Sequence, residues 1–333
     1  MTARRPRLRR VLVALFLALA LLLALDYALY PALSSVGGPS GDHARNGLWL
    51  RYAWYLGRHP DSEIRLLARR LRREHIRYAY FHVRHVTADG RLRYRSPGTA
   101  RRLLRLLRAE APEVRAVAWI YAGNNGMGGL PVVRLEDPAV RRRMAAEAAW
   151  LVRECGFDGV QWDYEVCRDG DPHLLSLLQE TRRALDAAVP GRNTTALLAV
   201  STPMWVPRPF RRWGWSEGYF ARVAAECDQI AVMAYDSGLY LPRAYAWLVR
   251  QQAEHVPRAA ALSNPGCGVL IGVPTYARGG LSHHAHAENV EVALKAVRSG
   301  LPAGGGVQGV ALFADYTTQP DEWAAYRRLW LRP

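Results

Sequence analysis

The chain has 333 residues, is 50% apolar and carries a formal net charge of +16. That is enough apolar material for one large domain or two ordinary ones. The cations are nearly all arginine, with Lys295 the single lysine. No nucleic-acid-binding motif accompanies them, so nucleic acid is not an expected partner; the charge reflects either an arginine-favouring coding bias or attraction to an anionic surface or polymer.

The chain opens on MTARRPRLRR, with five arginines, and continues as VLVALFLALALLLAL over 11–25 without a polar residue. A basic end ahead of such a run is an export signal. The run alone is short of the about 20 residues that span a bilayer, but continuing through Asp26 to Leu33 reaches that length. Segment 1–33 therefore reads as a signal peptide, with Ala32-Leu33-Ser34 the best small-x-small cleavage site, or as a retained signal anchor. In the second case its arginines stay inside and the rest faces the periplasm or the exterior. Removing its five arginines and one aspartate leaves +12 on the exported part. Residues 34–46, SSVGGPSGDHARN, read as a Gly/Ser-rich linker.

From residue 47 to 333 apolar β-type runs alternate with amphipathic helical stretches. Strands are expected at 47–56, 76–83, 114–123, 157–165, 196–203, 228–236, 268–276 and 306–316. Helices are expected at 61–75, 98–112, 137–155 and 171–189, then near 216–226, 242–256, 286–299 and 320–330. Asp61, Asp137 and Asp171 are placed as N-caps, with Pro138 and Pro172 in first helical turns. Regular β-α alternation means a parallel sheet. Eight such units over this length match a (β/α)8 TIM barrel. No Gly-x-Gly-x-x-Gly follows the first strand, which disfavours a nucleotide-binding open sheet.

Cys155, Cys167, Cys227 and Cys267 are expected as buried thiols. The first two flank the 157–165 strand, so roughly 26 Å of extended chain separates them at about 3.3 Å per residue, against about 7 Å for a disulfide. No Cys-x-x-Cys occurs, and no cofactor or metal is expected.

The stretch GFDGVQWDYE (156–165) puts acids into an otherwise buried strand. Side chains alternate faces along a strand, so Gln161, Asp163 and Glu165 share one face and Trp162 and Tyr164 the other. The aromatics suit the helix side; the polar trio then points into the barrel, with Glu165 at the open top. Asp163 and Glu165 have Cα atoms about 6.6 Å apart from the strand rise. Two carboxyls so close resist ionising together, which raises a pKa and makes one a general acid. Other strand ends add Met233, Tyr235 and Asp236; Pro203-Met204-Trp205; Tyr276; and Phe313 with Asp315. Aromatics and acids at one rim compose a sugar cleft.

These residues resemble glycoside hydrolase family 18, the chitinase and endo-β-N-acetylglucosaminidase group. Its fourth-strand signature Asp-Gly-x-Asp-x-Asp-x-Glu is matched by Asp158-Gly159-Val160-Gln161-Trp162-Asp163-Tyr164-Glu165. Met-x-Tyr-Asp is matched by Met233-Ala234-Tyr235-Asp236, and Gly-x-Pro-x-Tyr by Gly272-Val273-Pro274-Thr275-Tyr276. The eighth strand, GVALF, has Phe313 where the family usually has Trp. The resemblance covers 47–331. It implies that Glu165 protonates the glycosidic oxygen and that the substrate's own acetamido oxygen attacks the anomeric carbon. It further implies that Asp163 holds the acetamido N–H and that Tyr235 bonds its carbonyl. Gln161, Met233, Asp236, Trp205, Tyr276 and Phe313 would contact substrate; Asp158 would be structural. The departure is Gln161, usually Asp: an amide can hydrogen-bond Asp163 but cannot share a proton with it, leaving Asp163 more readily ionised.

His283, His284 and His286 lack the spacing of acids that a metal site needs. His82 and His85 suit core packing or a rim contact. Residues 122–131, AGNNGMGGLP, read as a rim loop or an ordinary connector, and Trp49, Trp54, Trp119 and Trp162 as core. The expectation is a monomeric, membrane-anchored or secreted glycosidase acting on an N-acetylglucosamine-containing polysaccharide or oligosaccharide such as peptidoglycan, an envelope polysaccharide or chitin. A lectin-like barrel impaired by Gln161 is the alternative, and a retaining glycosidase using Asp236 or Asp315 as nucleophile is a third reading.

Overall fold

A computed structural model describes residues 5–38, 40–189, 195–301 and 306–331. The first four residues of the expected signal or anchor segment, Pro39 of the expected linker, and 190–194, 302–305 and 332–333 of the expected catalytic segment lie outside them. In chain order the elements are α1 (Arg5–Leu33), β1 (Asn46–Leu50), α2 (Tyr52–Tyr55), α3 (Asp61–Arg73), β2 (Ile76–His85), α4 (Pro97–Glu110), β3 (Arg115–Gly123), α5 (Pro138–Trp150) and β4 (Gly159–Glu165). Then come α6 (Pro172–Ala188), β5 (Leu197–Thr202), α7 (Glu217–Glu226), β6 (Gln229–Val232), α8 (Pro242–Ser263), β7 (Gly268–Pro274), α9 (Val290–Gly300), β8 (Gly309–Phe313) and α10 (Pro320–Leu329). The eight strands close into a parallel barrel in sequence order, β1 pairing with β8. This is the (β/α)8 architecture expected from the alternation.

Two buried layers result. Outward strand residues such as Leu48, Phe81, Ile120 and Trp162 pack on the helices. Inward ones, among them Trp49, Tyr80, Trp119 and Leu270, fill the barrel. Small residues make room for the large rings: a Cβ on Gly47 would sit 2.7 Å from the Tyr80 ring. The Asp-Gly of the fourth-strand motif has a similar cause, since a Cβ on Gly159 would lie 2.2 Å from the Leu197 carbonyl of β5.

Helix starts follow cap chemistry. Asp137 accepts from the Ala139 N–H at 2.7 Å and Asp171 from the His173 N–H at 2.8 Å, each followed by proline at the first turn. Asp61 differs from expectation. Pro60, in extended conformation, is the N-cap, and Asp61 begins the helix and pairs with Arg102. The expected 47–56 strand ends at Leu50. The Asp315 carboxylate accepts from the Arg51 N–H at 3.2 Å and the Trp54 Nε1–H at 2.8 Å, and the chain turns into α2 beneath it. The sixth strand stops at Val232, four residues before the expected end.

α1 is one helix whose stretch Leu8–Leu33 is long and apolar enough to cross a membrane. Its C-terminal part docks on the barrel's outer wall. Asp26 pairs with Arg243 near the start of α8, the Tyr27 carbonyl lies 2.7 Å from His286 Nε2, and the Pro31 carbonyl accepts from Lys295 Nζ at 2.7 Å. The expected linker also packs against the barrel. The Gly38 carbonyl accepts from Arg298 at 2.8 Å, and Asp42 accepts from the Asn46 side chain at 2.9 Å.

All four cysteines are buried free thiols. Cys227 and Cys267 approach to 3.9 Å between sulfurs.

Candidate active site

β4 places its inward face as the alternation requires. Gln161 and Asp163 are buried in the barrel and Glu165 is half-buried at its C-terminal mouth. Trp162 instead donates from Nε1 to Thr181 on α6 at 3.0 Å, on the helix side.

Each polar residue of the trio meets a ring from a neighbouring strand. Trp49 Nε1 donates to Gln161 Oε1 at 2.8 Å. Because an indole N–H only donates, this contact sets which way the amide points. Trp119 Nε1 donates to Asp163 Oδ2 at 2.8 Å. Tyr121, next inward on β3, donates its hydroxyl to Glu165. Trp49 and Trp119, read as ordinary core, are thus the donors that orient the carboxylate strand. Tyr121 was not among the expected site residues. The inward alternation Val117, Trp119, Tyr121 on β3 carried the signal, and the register that sets Tyr121 beside Asp163 became visible only in the sheet.

The electrostatics follow from burial. Asp163 is pushed well above the usual carboxylate range, first by burial and then by Glu165, with the Trp119 bond opposing. Glu165 is raised by burial and by the charge of Asp236, and its bond from Tyr121 opposes. Tyr121 is itself pushed up to about 12 by burial and by both acids. The expectation that Gln161 leaves Asp163 readily ionised meets a stronger opposing force, since burial and Glu165 favour its neutral form. Nor does Gln161 hydrogen-bond Asp163. Gln161 Nε2, Asp163 Oδ1 and Ser201 Oγ are buried without partners among the described residues, and Ser201 pairs with Asp163 in the sheet register.

Aromatic rings complete the mouth. Phe313 lies 5.1 Å from Tyr235 and 5.7 Å from Trp49, ring centre to ring centre. Tyr235 is buried within this group, and its hydroxyl is pushed well up by burial and by Tyr276, Asp163, Glu165 and Asp236. Gly272 is required here, because a Cβ would sit 2.6 Å from the Val232 carbonyl oxygen of β6 and 3.0 Å from the Tyr235 ring. Met233 packs on the same cluster. Tyr276 donates to Asp236 Oδ1 at 2.8 Å, and Asp236 has a left-handed backbone, φ 56°. Trp205 stands apart, its ring stacked 4.0 Å from His255 of α8 and packed on the helix-side core. Asp158, at the opposite end of β4, accepts from the Ala116 N–H and from Arg108, both at 2.8 Å.

The histidines disperse. His286 meets Tyr27, and His284 stacks on Tyr240. His283 Nε2 lies 3.0 Å from the Tyr276 carbonyl and Nδ1 3.2 Å from Glu288. One ligand atom each from His283, Glu288 and Asp236 falls within 4.8 Å of the others. Glu288 already accepts from the N–H groups of Asp236 and Ser237, at 2.8 and 3.0 Å, so the group straps the β6 and β7 loops together. His82 stacks on Trp119 at 4.1 Å and is pushed down to about 3, chiefly by burial; it is a neutral packing ring. A cavity of about 660 Å³ between α1 and helices α8 and α9 takes no part in this site.

By sequence the chain matches no family model and no curated protein. Its solved structural neighbours are chitinases and related glycosylases. A family GH18 chitinase from Cycas revoluta in complex with allosamidin superposes with a TM-score of 0.59 at 15% identity, covering 86% of this chain and 98% of that one. A chitinase from Chromobacterium violaceum gives 0.57 at 16% identity, over 85% and 98% of the two chains. The spore cortex-lytic enzyme SleL of Bacillus cereus gives 0.58 at 12% identity, over 86% and 74%.

Proposed function

We propose that this barrel is a family 18-type glycoside hydrolase that cleaves β-linked N-acetylglucosamine glycans with retention, using the substrate's acetamido group as nucleophile. The observation that carries the reading is the inward pair on β4. Glu165 sits at the mouth with a raised pKa, and beneath it Asp163 has one oxygen held by Trp119 and the other buried without a partner. A buried polar oxygen left without a partner costs about 1–3 kcal/mol, and a substrate amide would offset that cost.

In this mechanism Glu165 gives its proton to the glycosidic oxygen as the bond to the anomeric carbon breaks. The acetamido oxygen attacks that carbon and forms an oxazolinium ring, its N–H donated to Asp163 and its carbonyl oriented by the Tyr235 hydroxyl. Glu165, now a carboxylate, takes a proton from water as the water opens the ring from the face the leaving group left. Phe313 and Met233 floor the sugar subsite, and Asp236 and Tyr276 meet the sugar's hydroxyls. Trp205 is left out of this substrate set. Asp315 is bonded to Arg51 and Trp54, which disfavours it as a nucleophile. The structural neighbours include chitinases and a cortex-lytic enzyme; chitin-type and peptidoglycan-type glycans are the corresponding substrates to test. α1 is read as a retained anchor that leaves the barrel outside the membrane, as a monomer.

The test is hydrolysis of aryl N-acetylchitooligosaccharides and purified peptidoglycan by the full-length protein and by Glu165→Gln. Turnover that is lost in the variant supports the reading. Glycan binding by both proteins with turnover by neither would replace it with a lectin-like barrel, the reading that the neutral Gln161 favours.

A further inference from the structure

α8 and α9 begin at the C-terminal ends of β6 and β7, on the face where Glu165 opens. α1 meets them in a fixed order. Asp26 and Tyr27 bind at the starts of α8 and α9, through Arg243 and His286; Pro31 and Ser34 bind at mid-α9, through Lys295. Gly38 then meets Arg298 at the far end of α9. α1 therefore descends the wall from the catalytic face toward the opposite face. Traced backwards, its stretch from Leu25 to Leu8 projects beyond the catalytic face, exposed along its length. At about 1.5 Å per residue this stretch is about 27 Å long, close to the about 30 Å hydrocarbon core of a bilayer.

The loops of that face carry the second observation. Phe210, Trp213, Tyr240, Leu241 and Leu281 are exposed there, Leu281 at 96%. Arg208, Arg211, Arg212 and Arg278 are exposed beside them. Aromatic and apolar tips interleaved with arginine suit the headgroup layer of an anionic membrane.

We infer that the docked helix holds the catalytic mouth against the membrane surface, and that the enzyme's substrate is a saccharide carried on a membrane lipid. The substrate half rests on the hydrolase reading above; the orientation does not. A flexible tether would let the mouth sample solution. A helix that continues unbroken into an ion pair, a lysine and a histidine on the barrel wall fixes one side toward the bilayer.

The full-length protein in anionic vesicles tests this. A fluorophore is placed at Leu281→Cys on the catalytic face or at Leu262→Cys, 80% exposed at the far end of α8, and quenched with brominated lipid. Several-fold stronger quenching at 281 is expected; equal quenching, or stronger quenching at 262, overturns the orientation. In the same vesicles one N-acetylchitooligosaccharide is supplied free or coupled to a lipid at equal bulk concentration. The lipid-coupled form is expected to be cut at least tenfold faster, and Arg243→Ala/Lys295→Ala to lose that preference while cutting the free form normally. Equal rates, or a preference the double variant keeps, overturn the substrate half. If neither form is cut the hydrolase reading fails, and quenching alone decides the orientation.

Discussion

The acids that flank the barrel strands are held differently at the two ends. At the N-terminal end Asp158 is bonded to Arg108, Asp228 to Arg182, and Glu74 to Arg73 and Arg327. At the catalytic end Asp163 is held by Trp119, Glu165 by Tyr121, Asp236 by Tyr276, and Asp315 by Trp54 and a backbone N–H. No arginine or lysine side chain bonds to any of these four among the described residues. In a chain with this much arginine the contrast separates two tasks. A guanidinium fixes an acid by stabilising its charge. A neutral donor fixes the oxygen's position while leaving the proton available, as acid-base chemistry near neutral pH demands.

The sharpest way to break the comparison is to remove the proton. Glu165→Gln is expected to lower kcat by about 10²–10⁴ with the thermal midpoint held, measured on an aryl glycoside alongside a melting curve. Asp163→Asn is expected to cost turnover about tenfold or more while stabilising the fold. The Asp163 carboxyl is raised above 3.8 in the fold, so the folded state holds its proton to higher pH than the unfolded chain does. Its contribution is fully present below the unfolded value and is lost as pH climbs through the raised one. Asn cannot ionise and still accepts from Trp119, so its gain in Tm over the parent should grow from about pH 4 to about pH 8; a gain that shrinks would contradict the account. At the other end Asp158→Ala removes an acceptor from the Ala116 N–H. It should cost about 1–3 kcal/mol of stability, read by urea unfolding, with the pH–rate profile unmoved. The smallest effect sharpens rather than breaks the contrast. Tyr121→Phe deletes a bond that lowers the Glu165 pKa, so the alkaline limb of kcat/KM should move to higher pH while the maximum changes less than tenfold.

Much of this was legible in the amino-acid order. Eight β-α units predict the closed barrel. Alternation along 161–165 predicts which side chains face inward, because the strand period is two whatever the neighbours do. What stayed hidden depends on pairing between strands. That Trp49 would hold Gln161, or that Tyr121 would reach Glu165, is a matter of register and stagger around the barrel, which no local pattern encodes. Trp205 shows another such dependence: a tryptophan at a strand end suggests a sugar platform, and the stacking of His255 from α8 on its ring is set by tertiary packing. The strand expected over 47–56 failed for a similar reason, since the Asp315 bonds at Arg51 come from the other end of the chain.

The most direct test of the neutral-donor account is the ionisation of Glu165 itself, taken as the carboxyl difference spectrum between the parent and Glu165→Gln across a pH titration. The account predicts a midpoint above the ordinary 4.5; a midpoint at or below that value would mean that the mouth stabilises the charge after all.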